Sequence, residues 1–209
     1  MNDTHIIIFA KAPVAGFAKT RLNPVLGAHG AARLAQRMLL HTVAHAMAAQ
    51  TGTVELCVTP SPADPAWHAL SLPAALRWSA QGEGDLGARM ARAARRVLDA
   101  GQPVLLIGTD CPTLDATVLR AAAQALHAHD AVLGPSADGG YVLLGLKRFD
   151  AALFDDIPWS TSAVAGMTLA RMARAGWRVH QSAPAHDIDL PEDLQWLPAD
   201  WRVQDRNLR

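Results

Sequence analysis

The strongest constraint on this chain is an alternation. Short runs rich in Ile, Val and Leu, apolar enough for burial on both faces, alternate with alanine-rich stretches whose larger apolar residues recur at helical spacing. Residues 5–10, His-Ile-Ile-Ile-Phe-Ala, open the series as a buried strand. The pattern predicts further strands at 53–59, 74–79, 103–108, 130–134, 141–146 and 177–181. It predicts helices at 31–49, 88–100, 116–128 and 163–175, with a last short one opened by the motif at 186–194. Strands alternating with helices imply an open, mainly parallel α/β sheet. The Asp138-Gly139 turn links two successive strands like a hairpin, so an antiparallel strand is expected within it. With 209 residues, a single domain is expected over 1–209, its core spanning about 5–197 and followed by a short C-terminal tail.

Composition narrows the function classes. Nineteen basic residues balance nineteen acidic ones, which argues against nucleic acid or a membrane surface as partner. The apolar run at 6–10 is too short for a secretory signal, and no stretch approaches a membrane span. Cys57 and Cys111 form neither a disulfide framework nor a zinc pattern. A cytoplasmic protein, monomer or homodimer, is the expectation. Only three of the nineteen basic residues are lysines, and Lys11 and Lys19 share one loop.

That loop follows the first strand, where ligands bind in open α/β sheets. Lys11, Lys19 and Arg21 supply point charges and a two-pronged donor suited to a polyphosphate, with Gly16 between them. The loop is not a Walker A motif: position 11 is Lys where Gly is required, and two residues separate Gly16 from Lys19. Asp110 ends the apolar strand at 103–108, within Gly-Thr-Asp-Cys-Pro, and reads as a ligand for a hard divalent ion or as a turn residue. Asp189, in Asp-Ile-Asp-Leu-Pro-Glu-Asp-Leu, reads as a second carboxylate for the same ion or as a helix N-cap, with Asp187 the less favoured ligand. Gly84, Asp85 and Gly87 offer backbone amides to a nucleobase, or start a helix capped by Asp85. Asp138, Gly139, Gly140 and Tyr141 make a tight hairpin, or the glycines let the backbone approach a ligand whose hydroxyls Asp138 orients. Trp159 lines an acceptor pocket or packs in the core. Cys111 as a nucleophile and His41 with His45 as metal ligands are weaker candidates, because neither has a visible partner in sequence.

Four motifs in order, KxxxxxxxKTRL from Lys11, GxDxPxL from Gly108, DGGYxLxGL from Asp138 and DIDxPEDL from Asp187, resemble the DUF2064 family. Its members are also called rSAM/selenodomain-associated transferase 1 or arsenosugar-biosynthesis glycosyltransferases. The family sits in the GT-A, nucleotide-diphospho-sugar transferase superfamily, and the resemblance covers about residues 5–197. The Lys19 and Asp187 motifs are also similar to those of phospholactate guanylyltransferases, and the latter to molybdenum-cofactor nucleotidyltransferases.

The resemblance implies a GT-A Rossmann-like three-layer sandwich with a mixed, mostly parallel sheet. It implies that Lys19 and Arg21 hold a triphosphate and that Asp110 and Asp189 hold Mg2+ or Mn2+. Gly84 to Gly87 would meet the base or ribose, and Asp138 to Tyr141 the acceptor or sugar. The glycine-rich loop of many nucleotidyltransferases and a mid-chain DxD are both missing. The expected function is a Mg2+-dependent transferase that binds a nucleotide or nucleotide sugar. Nucleotidyl transfer from a nucleoside triphosphate to a small phosphate- or carboxylate-bearing acceptor is favoured, with Lys19, Arg21 and Asp110 as catalytic residues. A GT-A glycosyltransferase and a non-catalytic nucleotide- or partner-binding module are the alternatives.

Overall fold

The structure is a computed structural model and describes residues 3–201. The remaining residues of the expected 1–209 domain, including the end of the tail, lie outside that range. Seven strands form one sheet: β1 (His5–Lys11), β2 (Val54–Thr59), β3 (Arg77–Ala80), β4 (Val104–Ile107), β5 (Ala131–Pro135), β6 (Tyr141–Leu146) and β7 (Val179–Gln181). Their order is β3-β2-β1-β4-β6-β5-β7. All neighbours run parallel except β6, which is antiparallel to both β4 and β5. This is the mixed, mostly parallel sheet that the alternation predicts.

Among the described residues four α-helices cover the sheet: α1 (Asn23–Ala49), α2 (Leu86–Asp99), α3 (Ala116–Ala128) and α4 (Val164–Arg174). The central strand shows why both faces must be covered. Ile6, Ile8 and Ala10 point into a core shared with Leu39 and Val43 of α1 and Leu119 of α3. Ile7 points the other way, into a core with Met90 and Val97 of α2 and Met172 of α4. Each of the three isoleucines is fully buried, and burying such a side chain contributes about 1.5–3 kcal/mol.

The sequence reading differs at α1, which begins eight residues before the expected start at 31. Pro24 sits in its first turn, where a missing N–H costs nothing, and Gly27 (φ 65°) breaks the helical path before the long straight part. Among the described residues no helix is long and apolar enough to cross a membrane.

The topology gathers loops at one edge. The carboxyl ends of β1, β2, β3, β4 and β5, and the amino end of β6, lie along the same side. Lys11, Thr59, Gln81, Asp110, Ser136 and Tyr141 therefore border a common cavity.

Candidate functional site

The cavity measures about 820 Å³. One wall is the loop after β1. Its path is fixed by a small third core in which Leu22 packs with Ile188, both fully buried. Lys19 lies three residues before Leu22, and Asp189 directly follows Ile188. The Ile188 N–H donates to the Asp110 carbonyl at 2.8 Å. Apolar packing and one backbone bond thus bring three distant charged residues together.

Lys19 is the centre of that group. Its Nζ lies 2.5 Å from Asp189 Oδ1 and 2.9 Å from Asp110 Oδ1. The lysine side chain is 8 % exposed, whereas the two carboxylates are 43 % and 42 % exposed. Burial is the largest influence on the ammonium and pulls its pKa down. The two carboxylates outweigh it and raise the pKa above the usual lysine value. The lysine backbone is left-handed, φ 50° and ψ 39°, a conformation uncommon outside glycine. Arg21 stands at the rim, mostly exposed, with Nη1 3.8 Å from Asp189 Oδ2. Lys11, exposed at the end of β1, borders the cavity with Nζ 4.0 Å from the centre of the Phe17 ring.

The hydrogen bonds around the two acids bear on their turn and capping alternatives. Asp189 does not cap the last short helix. That helix (Pro191–Trp196) is 3₁₀, and its entry is held by the Asp193 carboxylate, which accepts from the N–H groups of Asp189 and Leu190. The Asp189 side chain is free to meet Lys19. Asp110 accepts from the Thr109 hydroxyl but is turned mainly to Lys19. Asp187, the less favoured ligand by sequence, also lines the cavity. Burial, helped by the charges of Asp138, Asp189 and Asp110, pushes its carboxyl up to about 6.

The opposite wall carries four of the five residues expected at the acceptor, Asp138, Gly140, Tyr141 and Trp159, whereas Gly139 does not line the cavity. Asp138 accepts from Gly140 N–H at 2.9 Å and from the Ser136 hydroxyl, so it stabilises its own turn while bordering the cavity. Gly139 (φ 92°) lies against the Ser162 backbone, leaving no space for a side chain. Tyr141 and Trp159 meet edge to face, with ring centres 6.5 Å apart, and both line the cavity.

Other expected contacts lie elsewhere. Gly16, Gly84, Asp85 and Gly87 do not line the cavity. Asp85 caps α2 by accepting from Ala88 N–H at 2.8 Å. Gly87 packs under the Trp159 indole. In their place Gln81 and Arg89 face the cavity; Gln81 ties Ala10 and Cys57 carbonyls together, and Arg89 reaches the Gly84 carbonyl and the Gln81 amide. Nothing in the sequence marks Gln81, because its role depends on two other strands. The Cys111 thiol is buried and pushed up by that burial, the opposite of an activated nucleophile. His41 bonds the Pro112 carbonyl at 2.9 Å, and His45 accepts from Ala116 N–H. The two histidines, both part-buried, anchor the Asp110 loop and the start of α3 to α1.

This fold, with charged loops at the strand ends, is that of the nucleotide-diphospho-sugar transferases. The chain belongs to the DUF2064 family, described as uncharacterized protein conserved in bacteria, with residues 42–161 matching. A protein of Desulfovibrio desulfuricans G20, described as a nucleotide-diphospho-sugar transferase, is 30 % identical with a TM-score of 0.88. The match covers 100 % of this chain and 94 % of that one. The fold is also similar to a CMP:2-keto-3-deoxy-manno-octonic acid synthetase complexed with CTP, at 12 % identity and TM-score 0.57, covering 96 % of this chain and 99 % of that one. Rv0371c of Mycobacterium tuberculosis, in complex with manganese, is similar at 16 % identity and TM-score 0.57, covering 94 % and 97 %. Among curated proteins none is similar enough to match.

Proposed function

We propose that the protein is a divalent-metal-dependent transferase whose donor is a nucleotide or nucleotide sugar, most simply a nucleotidyltransferase using a nucleoside triphosphate. The observation that carries this reading is the pairing of Asp110 and Asp189 around one cation at the edge of the cavity. Two hard oxygen donors already drawn to a positive charge fit Mg2+ or Mn2+. No three His, Cys, Asp or Glu side chains converge as ligands among the described residues. An ion held by Asp110 and Asp189 would leave room for substrate phosphates and water as further ligands, which suits Mg2+. When bound, such an ion polarises a phosphoryl oxygen and neutralises developing charge.

The remaining chemistry is positioning and charge. Lys11 and Arg21 bind the outer phosphates from the rim, Arg21 with two parallel donors. Gln81 and Arg89 border the wall toward the base. Asp138, Tyr141 and Trp159 orient the acceptor, and their packed wall excludes water from one side. The first two molecules named above, one described as a nucleotide-diphospho-sugar transferase and one a synthetase complexed with CTP, lend support to a nucleotide donor. The manganese of a third supports a divalent ion. The two free, buried cysteines suit a cytoplasmic setting.

The second reading, glycosyl transfer, is favoured by the 30 % identical relative described as a nucleotide-diphospho-sugar transferase. Products separate the two. The protein is incubated with each nucleoside triphosphate and each common nucleotide sugar, with Mg2+ or Mn2+. Pyrophosphate release is expected; nucleoside diphosphate release from a sugar donor transfers the assignment to the glycosyl reading.

A further inference from the structure

We propose that Lys19 holds the seat of the divalent ion: its ammonium occupies the place between Asp110 and Asp189 that the ion takes, so ion binding drives the lysine out toward the phosphates. The inference rests on the metal-dependent reading above and adds a coupling to it. The geometry supports mutual exclusion. Nζ is 2.5 and 2.9 Å from one oxygen of each carboxylate, and a divalent ion would draw those same oxygens to about 2 Å. Two cations on one pair of oxygens repel strongly at that range.

The lysine is also the buried partner, while both acids are open to the cavity. An approaching ion therefore meets the carboxylates first, and the ammonium must leave. Its exit is short. Lys19 sits at a left-handed turn that is continuous with Thr20 and Arg21, and all three border the cavity. Once displaced, the ammonium loses both of its close partners, and anionic phosphates in the cavity would supply new ones. Ion and polyphosphate then bind with positive coupling, and each strengthens the other by the same factor. Without phosphate, Lys19 neutralises the acids, which would otherwise repel one another.

The scarcity of lysine makes a direct test practical, because Lys11 and Lys147 serve as internal references. The full chain is labelled with an amine-acylating reagent, with and without Mn2+, and the three lysines are quantified by mass spectrometry. Protection of Lys19 without Mn2+, and at least fivefold faster acylation with it, is expected. In parallel, Mn2+ binding is measured by electron paramagnetic resonance for the wild type and for Lys19→Met. The variant should bind Mn2+ alone at least tenfold more tightly, and Lys19→Arg should stay weak like the wild type. Mn2+ that binds while Lys19 remains equally protected overturns the seat-holding role and leaves the metal-dependent reading standing. So does a Lys19→Met affinity equal to or weaker than wild type. Failure of wild type and Lys19→Met to bind Mn2+, even with nucleoside triphosphates present, overturns both.

Discussion

At the scale of single residues, the site is an arrangement of charges in which each has a different degree of freedom. Lys19 is enclosed by two acids, whereas Lys11 and Arg21 remain at the rim. The rim cations should therefore set phosphate affinity. Lys11→Ala and Arg21→Ala are each expected to weaken nucleoside triphosphate binding about tenfold or more, as lost charged hydrogen bonds do, while nucleoside binding stays unchanged in calorimetry. Asp110→Asn and Asp189→Asn should each abolish the metal-dependent part of nucleotide binding with the circular dichroism spectrum preserved, because both side chains are more than two-fifths exposed.

Most of this charge pattern was legible in the sequence, since Lys11, Asp110 and Asp138 stand at or just beyond strand ends that apolar runs mark clearly. The pairing of Lys19 with the two acids was not. It depends on the buried contact of Leu22 with Ile188, a tertiary fact. The same holds for Asp187, whose raised carboxyl pKa comes from burial and from Asp138 on another loop.

At the scale of elements, the β6 hairpin and the start of α2 shape the wall proposed to hold the acceptor. Gly87 is the joint between them: a methyl group there would stand 2.5 Å from the Phe154 carbonyl and 2.6 Å from Trp159 Nε1. Gly87→Ala should displace the indole, cost about 1–3 kcal/mol in denaturant unfolding and raise the acceptor KM more than the donor KM. An unchanged acceptor KM would remove Trp159 from that wall. Strand and helix order followed from the alternation, and α2, α3 and α4 lie close to their expected places. The early turn of α1 was hidden because Pro24, Gly27 and Gly30 resemble loop composition. β3 was displaced by three residues at its start, since exposed Arg77 and Trp78 break the apolar pattern there.

At the scale of the whole molecule, one polar network inside the sheet couples stability to pH. Glu55 on β2 is 2 % exposed and accepts from Ser79 of β3 at 2.5 Å and from Arg96 of α2, with His5 of β1 3.1 Å away. Burial alone would raise its pKa, but the hydrogen bonds from His5, Arg96 and Ser79 and the Arg96 charge win and hold it down at about 2. A depressed carboxyl pKa stabilises the folded state above the unfolded value of 4.5, and that stability is lost as pH falls toward 2. The contribution is of the order of 3 kcal/mol. Urea midpoints measured between pH 6 and pH 2.5 should fall steeply below about pH 4.5 in the wild type, and Glu55→Gln should flatten that slope. A parallel decline in both proteins would contradict the role of Glu55. The sequence concealed this network because a lone Glu within Val-Glu-Leu-Cys-Val reads as one imperfection in an apolar strand.

Net neutrality has a local meaning in this molecule. Cations that suit phosphate and acids that suit a metal ion meet at one edge of the sheet, and their signs cancel in the total. The central claim is that these two sets act together on a nucleotide. Calorimetric titration of each nucleoside triphosphate into the protein, with Mg2+ and again with excess chelator, tests it most directly. Binding of at least one triphosphate with the ion, lost on chelation and lost in Asp110→Asn, is the predicted result; equal binding without the ion, or no binding of any nucleotide, would contradict it.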